Sequence, residues 1–190
     1  MKTFKSNKKQ TGFTLIEIMV VIGIIGALAA GAAYGYNTMQ KRKGANEGKI
    51  IALALACGQN SVSTPSFAGI SMQTLGNKDC FPANLTTGRG TAAVTATSTV
   101  NNTAYTVAPS NMAGINDGLK VGLAAVPARL CTGMVDELDS TAARITITPT
   151  AGVAVVVKNI GGQLDADLVG INCNSAPAGT AAVNAEVGRS

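Results

Sequence analysis

Few residues in this chain have types and spacing that could do chemistry. Glu17 is a lone carboxylate five residues past Gly12 in GFTLIEIMVVIGIIGALAAG, residues 12–31, a stretch otherwise suited to lipid. Four cysteines stand at 57, 80, 131 and 173 without CxxC spacing, and three acids, Asp136, Glu137 and Asp139, crowd one short segment. The chain has no His, which removes the usual general base and the commonest zinc ligand. The three acids therefore read as a solvated face near a helix end rather than as acid or metal chemistry. No catalytic residue, metal or cofactor is expected. The cysteines read as structural, paired in an oxidising compartment; four of them allow three connectivities, and spacing alone does not choose.

Glu17 needs a physical reason. An isolated carboxylate in hydrocarbon costs several kcal/mol, so such a residue usually has a partner and a role. Cutting the chain after Gly12 would create one: Phe13 would become a new N-terminus, with Glu17 four residues into a helix. An α-amine and a carboxylate so spaced can pair on one face, within a subunit or between neighbours. The acid also lies near the positive end of the helix dipole.

Composition narrows the classes. At 190 residues the chain suits one domain of ordinary size. Gly, Ala, Thr and Asn are abundant and aromatics are 4%, which implies a modest core with many loops. The net charge is +5, but Lys2, Lys5, Lys8 and Lys9 all precede Gly12; the remainder has eleven cations against ten acids. The basic balance thus belongs mainly to the N-terminal tail and argues poorly for a nucleic-acid partner.

From Ile18 to Gln40 there are 23 residues without a formal charge, and Lys41-Arg42-Lys43 ends the run. As a helix it would span roughly 35 Å, enough for a hydrocarbon core. Basic flanks on both sides leave orientation open by the positive-inside rule; the tail of four lysines favours a cytoplasmic N-terminus and an exported C-terminal portion. A secretory signal peptide cut near Ala27–Ala33 would have an unusually long apolar core with Glu17 inside it. A plain single-pass anchor explains the run but not the acid.

Gly12-Phe13-Thr14-Leu15-Ile16-Glu17, behind a basic leader and ahead of an apolar helix, resembles the processing and methylation motif of type IV pilins and pseudopilins, the class III prepilin N-terminus. The resemblance implies a leader of residues 1–12, removed by a membrane prepilin peptidase that cuts after Gly12 and N-methylates Phe13. It also implies that Glu17 neutralises a neighbouring subunit's amine during filament assembly.

No proline occurs before Pro65, so a helix is expected over 13–58, hydrophobic over 13–40. Ile50, Ala54 and Cys57, with Leu53 nearby, form a stripe that could pack on a sheet. Glu47 and Lys43, four apart, would solubilise the other face, and Gly58 would cap the end. Gly31-x-x-x-Gly35 makes a thin surface suited to helix–helix approach. Many family members have proline in this neighbourhood, whereas this chain has Tyr34-Gly35-Tyr36; loosening in an assembled filament is expected around Gly31–Gly35.

Residues 59–190 are expected to form an extracellular globular head. The Ser-, Asn- and Gly-rich 59–90 read as a long connection, which a bridge between Cys57 and Cys80, near in sequence, would tie down. One or two strands are expected over 91–108 with a turn at Asn101-Asn102, and another over Gly118–Ala125. A helix led by Pro127 should cover about 127–139, burying Leu130, Met134 and Leu138. Strands follow at about 143–149 and 153–158, joined by the turn Pro149–Gly152, with a last strand over Leu168–Cys173.

This order resembles the head of type IVb pilins, where a disulfide ties the end of the chain to the head; the resemblance implies Cys131–Cys173. The fold class expected is α+β: a long N-terminal helix, transmembrane before assembly, packed on a small antiparallel sheet. The function expected is a type IVb-like major pilin, a structural subunit moving from the inner membrane to an extracellular filament. Its implied partners are the prepilin peptidase, identical subunits, an inner-membrane assembly platform, and a host, cell, DNA or phage surface. A minor pilin or a type II secretion pseudopilin is the alternative within the family. Of the other classes, a DNA-binding head lacks a basic aromatic-lined surface, and an enzyme lacks the residues named above.

Overall fold

A computed structural model describes residues 14–62, 66–174 and 179–189. Gly12 and Phe13, the expected cut site, lie outside the described residues. The chain falls into two compact units, Met1–Thr38 and Met39–Ser190. Helix α1, Leu15–Ser61, contributes to both.

In the second unit, α1 is followed by α2 (Met72–Asn77), a single 3-10 turn (Ala83–Leu85) and the short strands β1 (Thr86–Thr87) and β2 (Thr95–Ala96), which pair antiparallel. Strands β3 (Tyr105–Ser110) and β4 (Gly118–Pro127) lead into α3 (Ala128–Leu138). The remainder is β5 (Arg144–Pro149), β6 (Val155–Lys158), α4 (Ala166–Asn174) and β7 (Thr180–Gly188). The main sheet has the order β3-β4-β7-β5-β6, with every neighbouring pair antiparallel. A long helix on a small antiparallel sheet is the α+β architecture expected. Its core joins Ile51 and Leu55 of α1, Phe67, Leu75 and Phe81 of the connection, Leu119 and Leu123 of β4, Met134 and Leu138 of α3, and Ile145 and Ile147 of β5.

Several elements follow local chemistry legible in the residues. Pro127 immediately precedes α3, whose buried face includes Leu130, Met134 and Leu138; a fixed φ and a missing N–H suit a helix start. The β5–β6 turn closes with the Gly152 N–H donating to the Pro149 carbonyl at 3.0 Å. Asn102 takes φ +57° in the turn before β3, a conformation Asn tolerates better than most residues.

Four expectations are corrected. Leu168–Cys173 is helical, not a strand: Asp165 caps α4, its carboxylate accepting the Leu168 N–H at 3.0 Å while its carbonyl accepts the Val169 N–H. A mostly apolar stretch of six residues, Leu-Val-Gly-Ile-Asn-Cys, cannot by itself distinguish strand from helix; the acid three residues ahead is the deciding signal. The last strand is instead β7, between β4 and β5 at the centre of the sheet. Its inward residues are Ala181, Val183, Ala185 and Val187, a period-2 pattern muted by alanine's low strand preference.

The connection 59–90 contains α2, capped by Ser71, whose hydroxyl accepts the Thr74 N–H. Gly58 does not cap α1, which continues to Ser61; a Cβ at Gly58 would come within 2.3 Å of the Leu119 side chain. The position is a close helix–sheet crossing.

Candidate functional site: the assembly helix and the head that carries it

The first unit's described part is the start of α1. The Glu17 and Ile18 N–H groups donate to the Thr14 carbonyl at 3.0 and 3.3 Å, opening the helix, with Glu17 in its first turn. Glu17 is exposed and has no cationic partner among the described residues. Leu15, Ile16, Met19, Ile22, Ile25 and Leu28 are all at least 60% exposed. The most apolar 18-residue window of α1 reaches a mean hydropathy of 2.4 with none of it buried. By length and composition the helix can cross a membrane. A Cβ placed on Gly23, Gly26, Gly31 or Gly35 would meet nothing within 4 Å, so the chain's own packing does not account for these glycines. The helix is continuous through 31–35 in the single chain.

The second unit holds residues 39–61 of α1 against the head. Packing centres on Gly44, Gly48, Ile51, Leu55 and Gly58, a stripe spaced four, three, four, three. Its centre is rotated from that of the expected Ile50–Ala54–Cys57 face by about one residue, roughly 100°: Ala54 is fully buried as expected, but Ile50 and Cys57 are only partly buried and Leu53 is 62% exposed. The cause is a close crossing with α3. A Cβ at Gly44 would lie 2.1 Å from the Leu130 carbonyl oxygen, and one at Gly133 would lie 2.3 Å from the Lys41 carbonyl oxygen. Backbone thus meets backbone, and glycine alone permits it. The Gly44-x-x-x-Gly48 spacing was visible in the residues but was not assigned this role.

Glu47 is a further correction in α1. It does not solubilise an outer face with Lys43: it is 2% exposed. Its carboxylate accepts hydrogen bonds from the Tyr105 hydroxyl and, at 3.2 Å, from the Thr99 hydroxyl. Burial first, then the hydrogen bond to Glu47 and its negative charge, raise the Tyr105 hydroxyl well above its ordinary value of 10.0. Tyr105 also stacks at a tilt on Phe81, centroids 5.3 Å apart. This buried polar contact ties α1 to the start of β3.

Two disulfides close the head. Cys57–Cys80 joins α1 to the segment after α2, with Cα atoms 5.4 Å apart. Cys131–Cys173 joins α3 to α4, with Cα atoms 5.6 Å apart. The acids near the end of α3 do not converge: Asp136 is exposed, and Asp139 pairs with Lys158 at 2.8 Å. Among the described residues no group of three or more His, Cys, Asp or Glu could hold a metal ion.

The β3–β4 loop is built on one carboxylate. Asp117 accepts the N–H groups of Met112, Ala113 and Gly114 at 2.8, 2.8 and 2.6 Å. These bonds, that of Met112 foremost, hold it below the ordinary carboxylate value. Asn116, at φ +52°, turns its carbonyl to the Phe67 N–H at 2.7 Å, so the loop also anchors the connection.

Comparison with known proteins adds to this geometry. Residues 7–33 match the family described as the prokaryotic N-terminal methylation motif, and residues 45–185, well over half of the chain, match the family described as PilS N terminal. Over 61 residues the chain is 41% identical to the type IV major pilin protein PilA of Myxococcus xanthus (strain DK1622). That stretch is 32% of this chain and 28% of the relative, so the chain spans little more than a quarter of the relative's length. A methylation motif on an exposed apolar helix, a head matched along most of its length and an antiparallel sheet beneath that helix lead to one conclusion: the chain belongs to the type IV pilins, in the family described as PilS N terminal.

Proposed function

We propose that this pilin is a structural subunit of a surface filament, cut after Gly12, N-methylated on Phe13 and polymerised through α1. The observation that supports this best is the apolar surface of α1 from Leu15 to Asn37, exposed along its whole length. Such a surface needs lipid before assembly and other helices afterwards. The precursor would sit in the inner membrane with its head exported, and a prepilin peptidase and an assembly platform would handle it there. Identical subunits would replace lipid around α1 in the extracellular filament. Head-to-tail repetition of one heterologous contact generates such an open polymer.

Glu17 sets the register in this reading. It would pair with the Phe13 amine of a neighbouring subunit, whose attraction offsets part of the desolvation cost of both charges. Loosening of α1 around Gly31–Gly35 would accompany extraction. The head, on the outside of the filament, would be the part that meets a host, cell, DNA or phage surface.

The test is a Glu17→Ala variant expressed in the native filament system. Mass spectrometry should find its chain beginning at N-methylated Phe13, while sheared filament yield falls at least tenfold. A normal yield would remove Glu17 from assembly. A chain still beginning at Met1 in the unaltered protein would remove the processing step.

A further inference from the structure

Lys41, Arg42 and Lys43 follow the apolar run directly, and α1 passes through all three without interruption. All three are exposed, and among the described residues none forms an ion pair. The acid that spacing would offer to Lys43 is Glu47, one turn on, but its carboxylate is committed inward to Tyr105 and Thr99. The head therefore leaves three adjacent cations uncompensated where the apolar segment ends. At 1.5 Å per residue they lie within about 5 Å of its last residue, Gln40. This depth matches the headgroup layer of a bilayer, roughly 5–7 Å beyond the hydrocarbon.

We propose that Lys41, Arg42 and Lys43 form a collar that binds anionic phospholipid headgroups on the leaflet facing the head. The proposal rests on the membrane-anchored precursor described above and adds a lipid preference to it. Charge complementarity selects the partner: ammonium and guanidinium groups at headgroup depth attract phosphate-bearing, net-negative lipids and gain little from zwitterionic ones. The collar would hold the precursor at one depth before assembly, and its contacts would have to break when the subunit is extracted. Lys49, also exposed, lies about 14 Å past Gln40 and beyond that layer. It should not take part.

The experiment reconstitutes the full chain in phosphatidylcholine vesicles containing phosphatidylglycerol, with spin-labelled lipid of either headgroup. Electron spin resonance then measures the motionally restricted lipid around the protein. The expected result is an anionic preference on the order of fivefold, the factor that one favourable charge contact contributes. It should fall towards unity in high salt and in a K41Q/R42Q/K43Q variant, and stay unchanged in Lys49→Gln. These side chains are exposed, so the head should keep its melting temperature in both variants.

Restricted lipid without an anionic preference overturns the collar but leaves the membrane reading standing. The same holds if the preference persists in the triple variant, since the leader lysines would then be its source. It also holds if lipid selectivity is unmoved while filament yield collapses, because the cations would then serve a second copy. No restricted lipid with either label overturns the collar and the membrane-anchored precursor together.

Discussion

Tyr105 carries its hydroxyl into the contact between α1 and β3, where it donates to the Glu47 carboxylate, which forms no ion pair among the described residues. The neutral phenol is favoured in the fold, so its folded-state value lies above the ordinary 10.0. The sign follows: this contribution to stability is complete below pH 10 and is lost as the pH climbs above it, because the unfolded chain releases the proton first. The melting temperature of the head should therefore fall more steeply above pH 10 than that of Tyr105→Phe. Differential scanning calorimetry of the two proteins between pH 8 and 11 tests this, and parallel slopes would refute it. At neutral pH the Phe variant should still be less stable, by about 1–3 kcal/mol, because Glu47 loses a donor. Residue spacing could not have announced any of this. Glu47 four residues from Lys43 is the pattern of a solvated helix pair, and only the position of β3 turns the acid inward.

At the scale of elements, the two sets of glycines on α1 separate cleanly. Gly44, Gly48 and Gly58 are buried where α3 or β4 presses on the helix, whereas Gly31 and Gly35 have nothing near them. Gly133→Ala should destabilise the isolated head by about 1–3 kcal/mol, as an added methyl does in a full core; the Lys41 carbonyl that it meets is backbone and cannot step aside. Gly31→Ala should leave the head's melting temperature within about 1 °C, since surface changes away from such contacts are close to neutral. Equal effects of the two substitutions would show that the α1–α3 crossing is looser than its geometry. The same scale explains what was missed among the secondary structures. Pro127 and the Pro149–Gly152 turn are local signals, and their elements were legible. α4 hinged on a single capping acid and β7 on alternating alanines, both weak beside an apolar run that fits either period.

For the whole molecule, the disulfides divide the head into two tethered regions. In the chain-entropy account, Cys131–Cys173, separated by 42 residues, contributes about 4 kcal/mol, and Cys57–Cys80, separated by 23, about 3.4 kcal/mol. A Cys131→Ser/Cys173→Ser double variant should thus lose roughly that much in denaturant unfolding. It should also expose α4 first, since α4 is held to α3 beside the sheet by that bond. Hydrogen exchange across Ala166–Asn174 measures the second effect; protection equal to that of β7 would show that packing alone holds the helix.

The residues by themselves pointed to the family, the long helix and most of the head's strands, and they motivate the cut proposed at Gly12–Phe13. The family and the cut rest on the resemblance carried by Gly12–Glu17; the helix and strands rest on local physics: a helix without proline, alternation, and turns marked by Pro, Gly and Asn. Only the tertiary structure decided which face of α1 is buried, that Glu47 belongs to the interior, that Gly58 lies under Leu119, and that β7 sits at the centre of the sheet. These depend on which distant segment arrives at a given surface. A helix period specifies neighbours along one element, but burial is a property of two, and chain spacing does not encode the second.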